Sequence, residues 1–430
     1  VPDADDAPVS GAAWTVLAIL TLINLLNYLD RFVVPAVLES IKRSELQPTD
    51  AELGFLATGF LLVYMCAAPV AGMLGDGRYR TRIVAVGVAL WSLATAAGGL
   101  AHSYPALLGA RAAVGIGEAA YGAIAPAMLA DAFPHRLRAR VFSIFYLAIP
   151  VGSALGFVLG GAIDRRFGWR PAFFVAGLPG LLLALLALRM RDVRRTASPE
   201  ARPRAATVRP ALTRAWHGLR SAYAPFVRDR PYLRTVLGYC AYTFALGGIS
   251  FWMPTFMERE RGFAPGTASI QLGYVLVGTG LVGTLIGGWS ADALVHRIRQ
   301  ANLWLSGLTT LAAAPLAWLA LTTPDHTRFW ICIALTELLI FASTGPINVA
   351  IVADAPPTAR AAAMALSIFA IHALGDVPSP PLIGWISDRS TLARAVLIIP
   401  VAILAAGVIW CYAAWRRALT TPAPPRRPTP

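Results

Sequence analysis

Twelve apolar runs follow one another along the chain, near residues 13–37, 53–75, 83–101, 106–132, 141–163, 171–190, 233–257, 268–291, 302–322, 329–353, 361–386 and 393–415. Each is close to the roughly 20 residues an α-helix needs to cross a bilayer. None alternates polar and apolar positions as the strands of a membrane β-barrel do. Short polar turns separate them, except for a long connector between the sixth and seventh runs. The pattern predicts an all-α membrane protein with twelve transmembrane helices in two parallel six-helix bundles. The first bundle covers 1–190, a cytoplasmic connector covers 191–232, and the second bundle with its tail covers 233–430.

Composition excludes the alternatives. The 430 residues are 57% hydrophobic and only 14% charged, where a globular domain carries about 25% charge. Such a chain lacks the polar surface to cover itself in water. Cys66, Cys240, Cys332 and Cys411 all fall inside apolar runs without C-x-x-C spacing, so neither disulfides nor a metal site is expected. The acidic stretch Val1 to Ala13 has no basic leader region and reads as a short cytoplasmic tail.

A net charge of +14 matters less than where the charges sit. With both termini cytoplasmic, most of the basic residues face the cytoplasm, as the positive-inside bias requires. The connector is rich in arginine and proline. It places Leu212, Trp216, Leu219, Tyr223 and Phe226 on one helical face, suited to an anionic membrane leaflet or to a solvated linker helix. No folded basic domain presents these charges to nucleic acid. Arginine far outnumbers lysine and alanine is abundant, which points to a GC-rich bacterial genome and so to the cell inner (plasma) membrane.

The chain also repeats itself. Residues 143–165 and 367–389 align without a gap and share six identities: Ser, Ile and Phe first, then Gly, Asp and Arg. Ala130-Asp131-Ala132 echoes Ala353-Asp354-Ala355, and Gly72 with Asp76 echoes Gly288 with Asp292. An offset of half the chain, spanning six crossings, gives two halves that enter the membrane the same way, the layout of a two-bundle transporter.

Charges inside the spans carry the chemistry. NYLDRF supplies Asp30 and Arg31, and RAAVGIGEAAYG supplies Arg111, Glu118 and Tyr121. An unpaired arginine at mid-membrane costs at least about 2.5–3.5 kcal/mol, so partners are expected. Arg111 and Glu118 share a helix face but stand about 10 Å apart along the axis. The four charges sum to zero when ionised, and protonating either acid leaves a net positive site ready for an anionic headgroup. His372 and Asp376 lie at i and i+4, just before Pro378, Pro380 and Pro381, which must bend or break span eleven. They form either a structural pair or a polar contribution to the cavity, as does Glu337 in span ten. GTGLVG (278–283) and Gly152, Gly156 and Gly160 read as tight helix packing. Tyr239, Tyr242, Phe244, Phe251 and Trp252 form either a tail pocket or core.

GMLGDGRYRTR (72–82) resembles the loop motif of the major facilitator superfamily, with Gly72, Leu74, Gly75, Asp76 and Arg80 matching and Gly77 in place of the usual basic residue. Arg111, Gly115 and Gly117 are similar to the superfamily's fourth-helix motif of proton-coupled members. NYLDRF, APVAGMLGD (68–76), RAAVGIGEAAYGAIAPAMLAD (111–131), SIFYLAIPVGSALG (143–156) and HALGDVPSPPLIGWISDR (372–389) together resemble the Spinster transporters. The resemblance covers most of spans one to five and span eleven. It implies the major facilitator fold and an amphiphilic, phosphate-bearing cargo such as a lysolipid or sphingosine phosphate.

By position, Asp30 and Glu118 become proton-coupling residues, and Arg31, Arg111, Tyr121, Glu337, His372 and Asp376 substrate contacts. Asp76, Arg80 and Asp292 become gating residues. The expected partners are the lipid-like substrate, protons and membrane lipids, with the chain a monomer and no cofactor. Symport and antiport stay open, and a permanent ion-pair lock is the plainer reading of Asp30 and Glu118. Efflux of small amphiphilic drugs is the rival within transport. A membrane-embedded lipid-modifying enzyme is the rival outside it, although no G-x-S-x-G, H-E-x-x-H or P-loop is present.

Overall fold

The computed structural model of the chain describes residues 9–75, 79–193, 223–295, 297–353, 355 and 359–420. Among the described residues, twelve spans are long and apolar enough to cross a membrane, and each of the twelve apolar runs becomes one of them. The helices are α1 (Gly11–Ala36), short α2 (Leu38–Lys42), α3 (Asp50–Gly75), α4 (Arg80–Gly99), α5 (Tyr104–Ala132), α6 (His135–Phe167) and α7 (Trp169–Arg189). After the connector come α8 (Arg230–Arg261), α9 (Thr267–Val295), α10 (Ala301–Thr322) and α11 (His326–Ala353). Span eleven is α12 (Arg360–Ile371), a π-helical turn (His372–Asp376) and α13 (Ser379–Arg389). Span twelve is α14 (Leu392–Ala395) and α15 (Ile398–Thr420). Asp76, Asp354, Leu212, Trp216 and Leu219 lie outside the described residues. From the connector's apolar face, Tyr223 and Phe226 are described, with the Phe226 ring 5.1 Å from that of Tyr232.

Local chemistry sets the boundaries. Ser10 and Ser103 cap α1 and α5 by accepting the N–H groups of Ala13 and Ala106 at 3.3 and 3.4 Å. Gly168 adopts a φ of +78° at the sharp turn from α6 into α7, a conformation that glycine reaches without strain. The predicted interruption of span eleven is present: the π turn ends at Asp376, and Pro380 and Pro381 sit in the first turn of α13, where a missing N–H costs nothing.

The described residues within 1–204, 248–277 and 377–396 form one compact unit, and those within 205–247, 278–376 and 397–430 form a second. The division therefore crosses α8 and α9 and follows the π turn, as well as passing through the connector.

In the first unit the predicted glycine ridge of α6 lies along α1. Gly152, Gly156 and Gly160 face Leu25, Leu29 and Ala36 at successive turns, with no room for larger side chains. The segments of α8 and α13 join this unit through a dense polar joint, and that of α9 through Ser269, which donates to the Ala36 carbonyl at 3.0 Å. Arg259 bonds Glu39 at 2.8 Å and Asp50 at 2.7 Å, Lys42 reaches Asp50 at 2.8 Å, and Ser387 donates to Asp50 at 2.6 Å. Asp388 caps α3 by accepting the N–H groups of Asp50 and Ala51 at 2.8 and 2.9 Å. Its partner in the sequence repeat, Asp164, accepts Ser40 Oγ at 2.6 Å at the same end of the unit. The repeated Gly-x3-Asp element thus marks where α6 and α13 meet neighbouring helix ends.

Gly384, the glycine of that element, touches the backbone of Asp50, and a Cβ there would overlap its carbonyl. Gly384→Val is expected to cost about 1–3 kcal/mol of stability. Its thermal unfolding temperature in detergent should fall by several degrees, whereas Gly11→Ala, where the added Cβ meets open space, should leave it unchanged.

In the second unit Gly283 and Gly287, on the face that carries GTGLVG, approach the backbone of Leu338 and Ala342 on α11. Within GTGLVG, Gly283 serves tight helix packing, whereas Gly278 faces open space. Of the span-seven aromatics, Tyr239, Tyr242, Phe251 and Trp252 are buried in the core, and Phe244 is half-buried. Tyr242 donates to the Ile340 carbonyl at 2.8 Å within this unit. In the first unit Trp252 donates to the Pro380 carbonyl at 2.9 Å.

Candidate functional site

The intramembrane charges of α1 and α5 meet inside the first unit, and they pair across the helices rather than along them. Arg31 Nε donates to Glu118 Oε2 at 2.8 Å. Arg111 Nη1 stands 3.6 Å from Asp30 Oδ2, close enough for attraction but too far for a hydrogen bond. The crossing follows from helix geometry. Successive residues on α1 point about 100° apart, so Asp30 and Arg31 reach different levels of α5, seven residues apart.

Each partner has a distinct setting. Thr95 of α4 donates to Asp30 Oδ2 at 3.0 Å, the same oxygen that Arg111 faces. Asp30, Arg111 and Glu118 are nearly sealed, at 1%, 3% and 1% exposure. The Arg31 side chain keeps 23% of its surface open. Its guanidinium lies 5.1, 5.1 and 5.2 Å from the rings of Tyr28, Phe60 and Tyr64, and that of Arg111 lies 5.3 Å from Phe60. Aromatic faces attract a desolvated cation by as much as about 2 kcal/mol, which adds to the Glu118 bond in holding Arg31 in place.

The centre is incompletely bonded. Asp30 Oδ1, Glu118 Oε1, Arg111 Nε and Arg111 Nη1 are buried without a hydrogen-bond partner. Buried polar groups are ordinarily satisfied. Unspent donors and acceptors of both signs in one place suit a group that arrives, and a proton that comes and goes.

The other expected site residues are placed as follows. Tyr121 is buried and donates to the Leu20 carbonyl at 2.7 Å while packing edge-on against Trp91, so its hydroxyl ties α5 to α1. Arg80 is 5% exposed and clamps Asp131 at 2.7 Å and Asp192 at 3.0 Å. It thereby fastens the start of α4 to the end of α5 and to the segment after α7. Asp292 is exposed near the end of α9.

In the second unit Glu337 is 4% exposed and accepts Thr279 Oγ1 at 2.9 Å. His372 Nδ1 lies 2.9 Å from Asp376 Oδ2 within the π turn, and both side chains are about a quarter exposed, at 29% and 24%.

Sequence reasoning missed several functional neighbours. Asp131 carries a signal, being the middle of the repeated Ala-Asp-Ala. Tyr28, one turn before Arg31, could have been read from NYLDRF. Thr95, Phe60, Tyr64 and Asp192 have no sequence signature, because only the fold brings α3, α4 and the end of α7 to these charges.

The family model of the Major Facilitator Superfamily matches residues 20–375. Protein spinster of Drosophila melanogaster is 33% identical over 395 residues, covering 88% of this chain and 63% of that protein. The chain thus spans less than two thirds of the fly protein. Spinster homolog 1 of Homo sapiens is 35% identical over 407 residues, covering 88% of this chain and 74% of the human protein. An Arabidopsis thaliana relative named as a probable sphingolipid transporter, spinster homolog 2, is 28% identical over 435 residues, covering 95% and 89%. Among solved structures, a bacterial homolog of the human lysosomal transporter Spinster, in an inward-facing and unoccupied conformation, superposes with a TM-score of 0.84. It does so at 24% identity, over 97% of this chain and 100% of that one, which shows a shared fold. The matched length and the identity to the human relative make this chain a transporter of the spinster family within the Major Facilitator Superfamily, and not a membrane-embedded enzyme.

Proposed function

We propose that the chain moves an anionic amphiphile, of lysolipid or sphingosine-phosphate type, across the membrane by alternating access with protons exchanged at Glu118 and Asp30. The observation that carries this reading is the asymmetry of the Arg31–Glu118 pair: the acid is sealed, the arginine is partly open and boxed by aromatic rings. A phosphate reaching Arg31 competes with Glu118 for the guanidinium. Glu118 then loses its counter-charge in a buried setting and takes up a proton, so headgroup and proton are held together. Arg111 and Asp30 form the second, looser pair on which the same exchange can run.

The relatives named as probable sphingolipid transporters support a lipid cargo. In the second unit, Glu337 with Thr279 and His372 with Asp376 are proposed as that unit's polar contacts for cargo. Arg80, with Asp76 and Asp292, is proposed for gating, the Arg80 clamp being the part with observed partners. The proposed setting is the inner membrane of a bacterium with both termini cytoplasmic, the proton gradient supplying about 2.3 kcal/mol per charge per 100 mV.

The test is flux in proteoliposomes over a panel of lysophosphatidate, sphingosine-1-phosphate, lysophosphatidylcholine and a cationic dye, with and without an imposed pH gradient. Uptake confined to the phosphate-bearing lipids and raised by the gradient is expected. Transport of the dye alone would replace this reading with drug efflux.

A further inference from the structure

Three neighbouring positions on α5 face three different surroundings. Gly115 meets the backbone of Phe60 and Tyr64 on α3, and Gly117 meets Gly87 and Trp91 on α4. Residues advance about 100° each around a helix, so Ile116 points between α3 and α4, and Glu118 points away from that gap toward Arg31. Both α3 and α4 pack closely on α5 but scarcely on each other. Beyond the tight contact at Gly115 the two flanking helices leave a groove with α5 as its floor.

The groove has a volume of about 520 Å³ and an almost wholly apolar lining, including Cys66, Ala67 and Val70 of α3, Ile83 of α4, and Ile116 and Ala120 of α5. Val70 and Ile116 are 58% and 48% exposed, so it opens outward. The stretch of α3 that walls it, Leu62 to Ala71, is about 14 Å long, close to half of the roughly 30 Å hydrocarbon core. A transmembrane helix from a partner would need the full thickness. A single hydrocarbon chain from one leaflet matches that length.

The mouth of the groove selects the head that goes with that chain. Tyr79, the residue that caps the start of α4, accepts the Ile83 N–H through its carbonyl at 3.0 Å, and its side chain is exposed. The guanidinium of the exposed Arg82 sits 5.2 Å from its ring centroid. A cation beside an aromatic ring at the end of an apolar slot matches a phosphate at the interface with its chain below it.

We propose that this groove seats one acyl chain of an anionic phospholipid of the bilayer, whose phosphate is held by Arg82. The site is separate from the cargo centre, lying on the opposite side of α5 from Glu118. The lipid fills the space between α3 and α4 next to the turn that joins them, and so supports the helix ends that the Arg80 clamp fastens.

The native thiol of Cys66 lies exposed in the groove and reports its occupancy. The full chain is reconstituted in phosphatidylcholine vesicles with increasing phosphatidylglycerol. Alkylation by a membrane-permeant maleimide is followed on the Cys66 peptide by mass spectrometry, and native mass spectrometry identifies the lipid retained after extraction. Phosphatidylglycerol should slow alkylation several-fold and saturably, and a phosphatidylglycerol molecule should remain bound. Arg82→Gln should remove the dependence on phosphatidylglycerol, and Ala67→Trp, which fills the groove, should remove the retained lipid. Arg31→Gln, which strikes only the cargo centre, should leave Cys66 protection intact, so the groove stands or falls apart from the transport reading. An alkylation rate indifferent to phosphatidylglycerol in the unmodified chain, protection undiminished in Arg82→Gln, or a lipid retained equally in Ala67→Trp would overturn the proposal.

Discussion

Glu118→Gln is expected to abolish accumulation driven by an imposed pH gradient while leaving downhill lipid exchange measurable. With a proton carried per lipid, each pH unit is worth about 1.36 kcal/mol and sustains roughly tenfold accumulation at steady state. An amide in place of the acid cannot take up or release that proton, so the inside-to-outside ratio should collapse to the value reached without a gradient. The amide still accepts a hydrogen bond from Arg31 at the 2.8 Å position, so the fold is not the casualty. Asp30→Asn tests the second pair and should weaken coupling less, because Thr95 continues to hold the side chain. Full gradient-driven uptake in both variants would mean that these acids are permanent locks, and coupling would have to be sought elsewhere. The measurement is steady-state uptake of a labelled lysolipid in proteoliposomes with the gradient imposed in each direction.

The second large effect concerns selectivity. Arg31→Gln removes the open member of the centre. A hydrogen bond to a charged group is worth about 1.5–3 kcal/mol, so affinity for lysophosphatidate should fall by roughly ten- to 150-fold. Affinity for lysophosphatidylcholine, whose phosphate is masked by its own cation, should fall much less. Arg31→Lys keeps the charge but loses the planar fork and its stacking on Tyr28, Phe60 and Tyr64, and should recover only part of the loss. Binding is read by competition against a fluorescent lysolipid on purified protein. An equal loss for both lipids would point to a general collapse of the centre rather than to headgroup recognition.

The sequence reveals the spans and the chemistry of the centre more readily than its wiring. Apolar runs long enough to cross a bilayer leave a chain few alternatives, because backbone polar groups in hydrocarbon must bond within a helix. That is why all twelve runs become spans, and why three prolines near 380 appear as a π turn and a new helix start. Charge neutrality among Asp30, Arg31, Arg111 and Glu118 was equally readable, since lone charges are too costly at mid-membrane. Which acid takes which arginine was not. Arg111 and Glu118 share a face but stand about 10 Å apart along their helix, and the contacts run across to α1.

Tyr121 shows the opposite limit. Its place in the motif suggests the cavity, but a single helical position decides whether a hydroxyl meets cargo or the Leu20 carbonyl. The Asp50–Arg259 joint is hidden altogether, because it depends on residues more than 200 positions apart.

The central claim is that an anionic headgroup on Arg31 releases Glu118 to take a proton. Its most direct measurement is the pH of a weakly buffered solution of purified protein, followed with a dye as lysophosphatidate is added. The account predicts that the unmodified protein takes protons from solution as it binds, that lysophosphatidylcholine causes little uptake, and that Glu118→Gln loses most of the signal. Binding without any proton exchange, binding with proton release, or uptake undiminished in Glu118→Gln would contradict it.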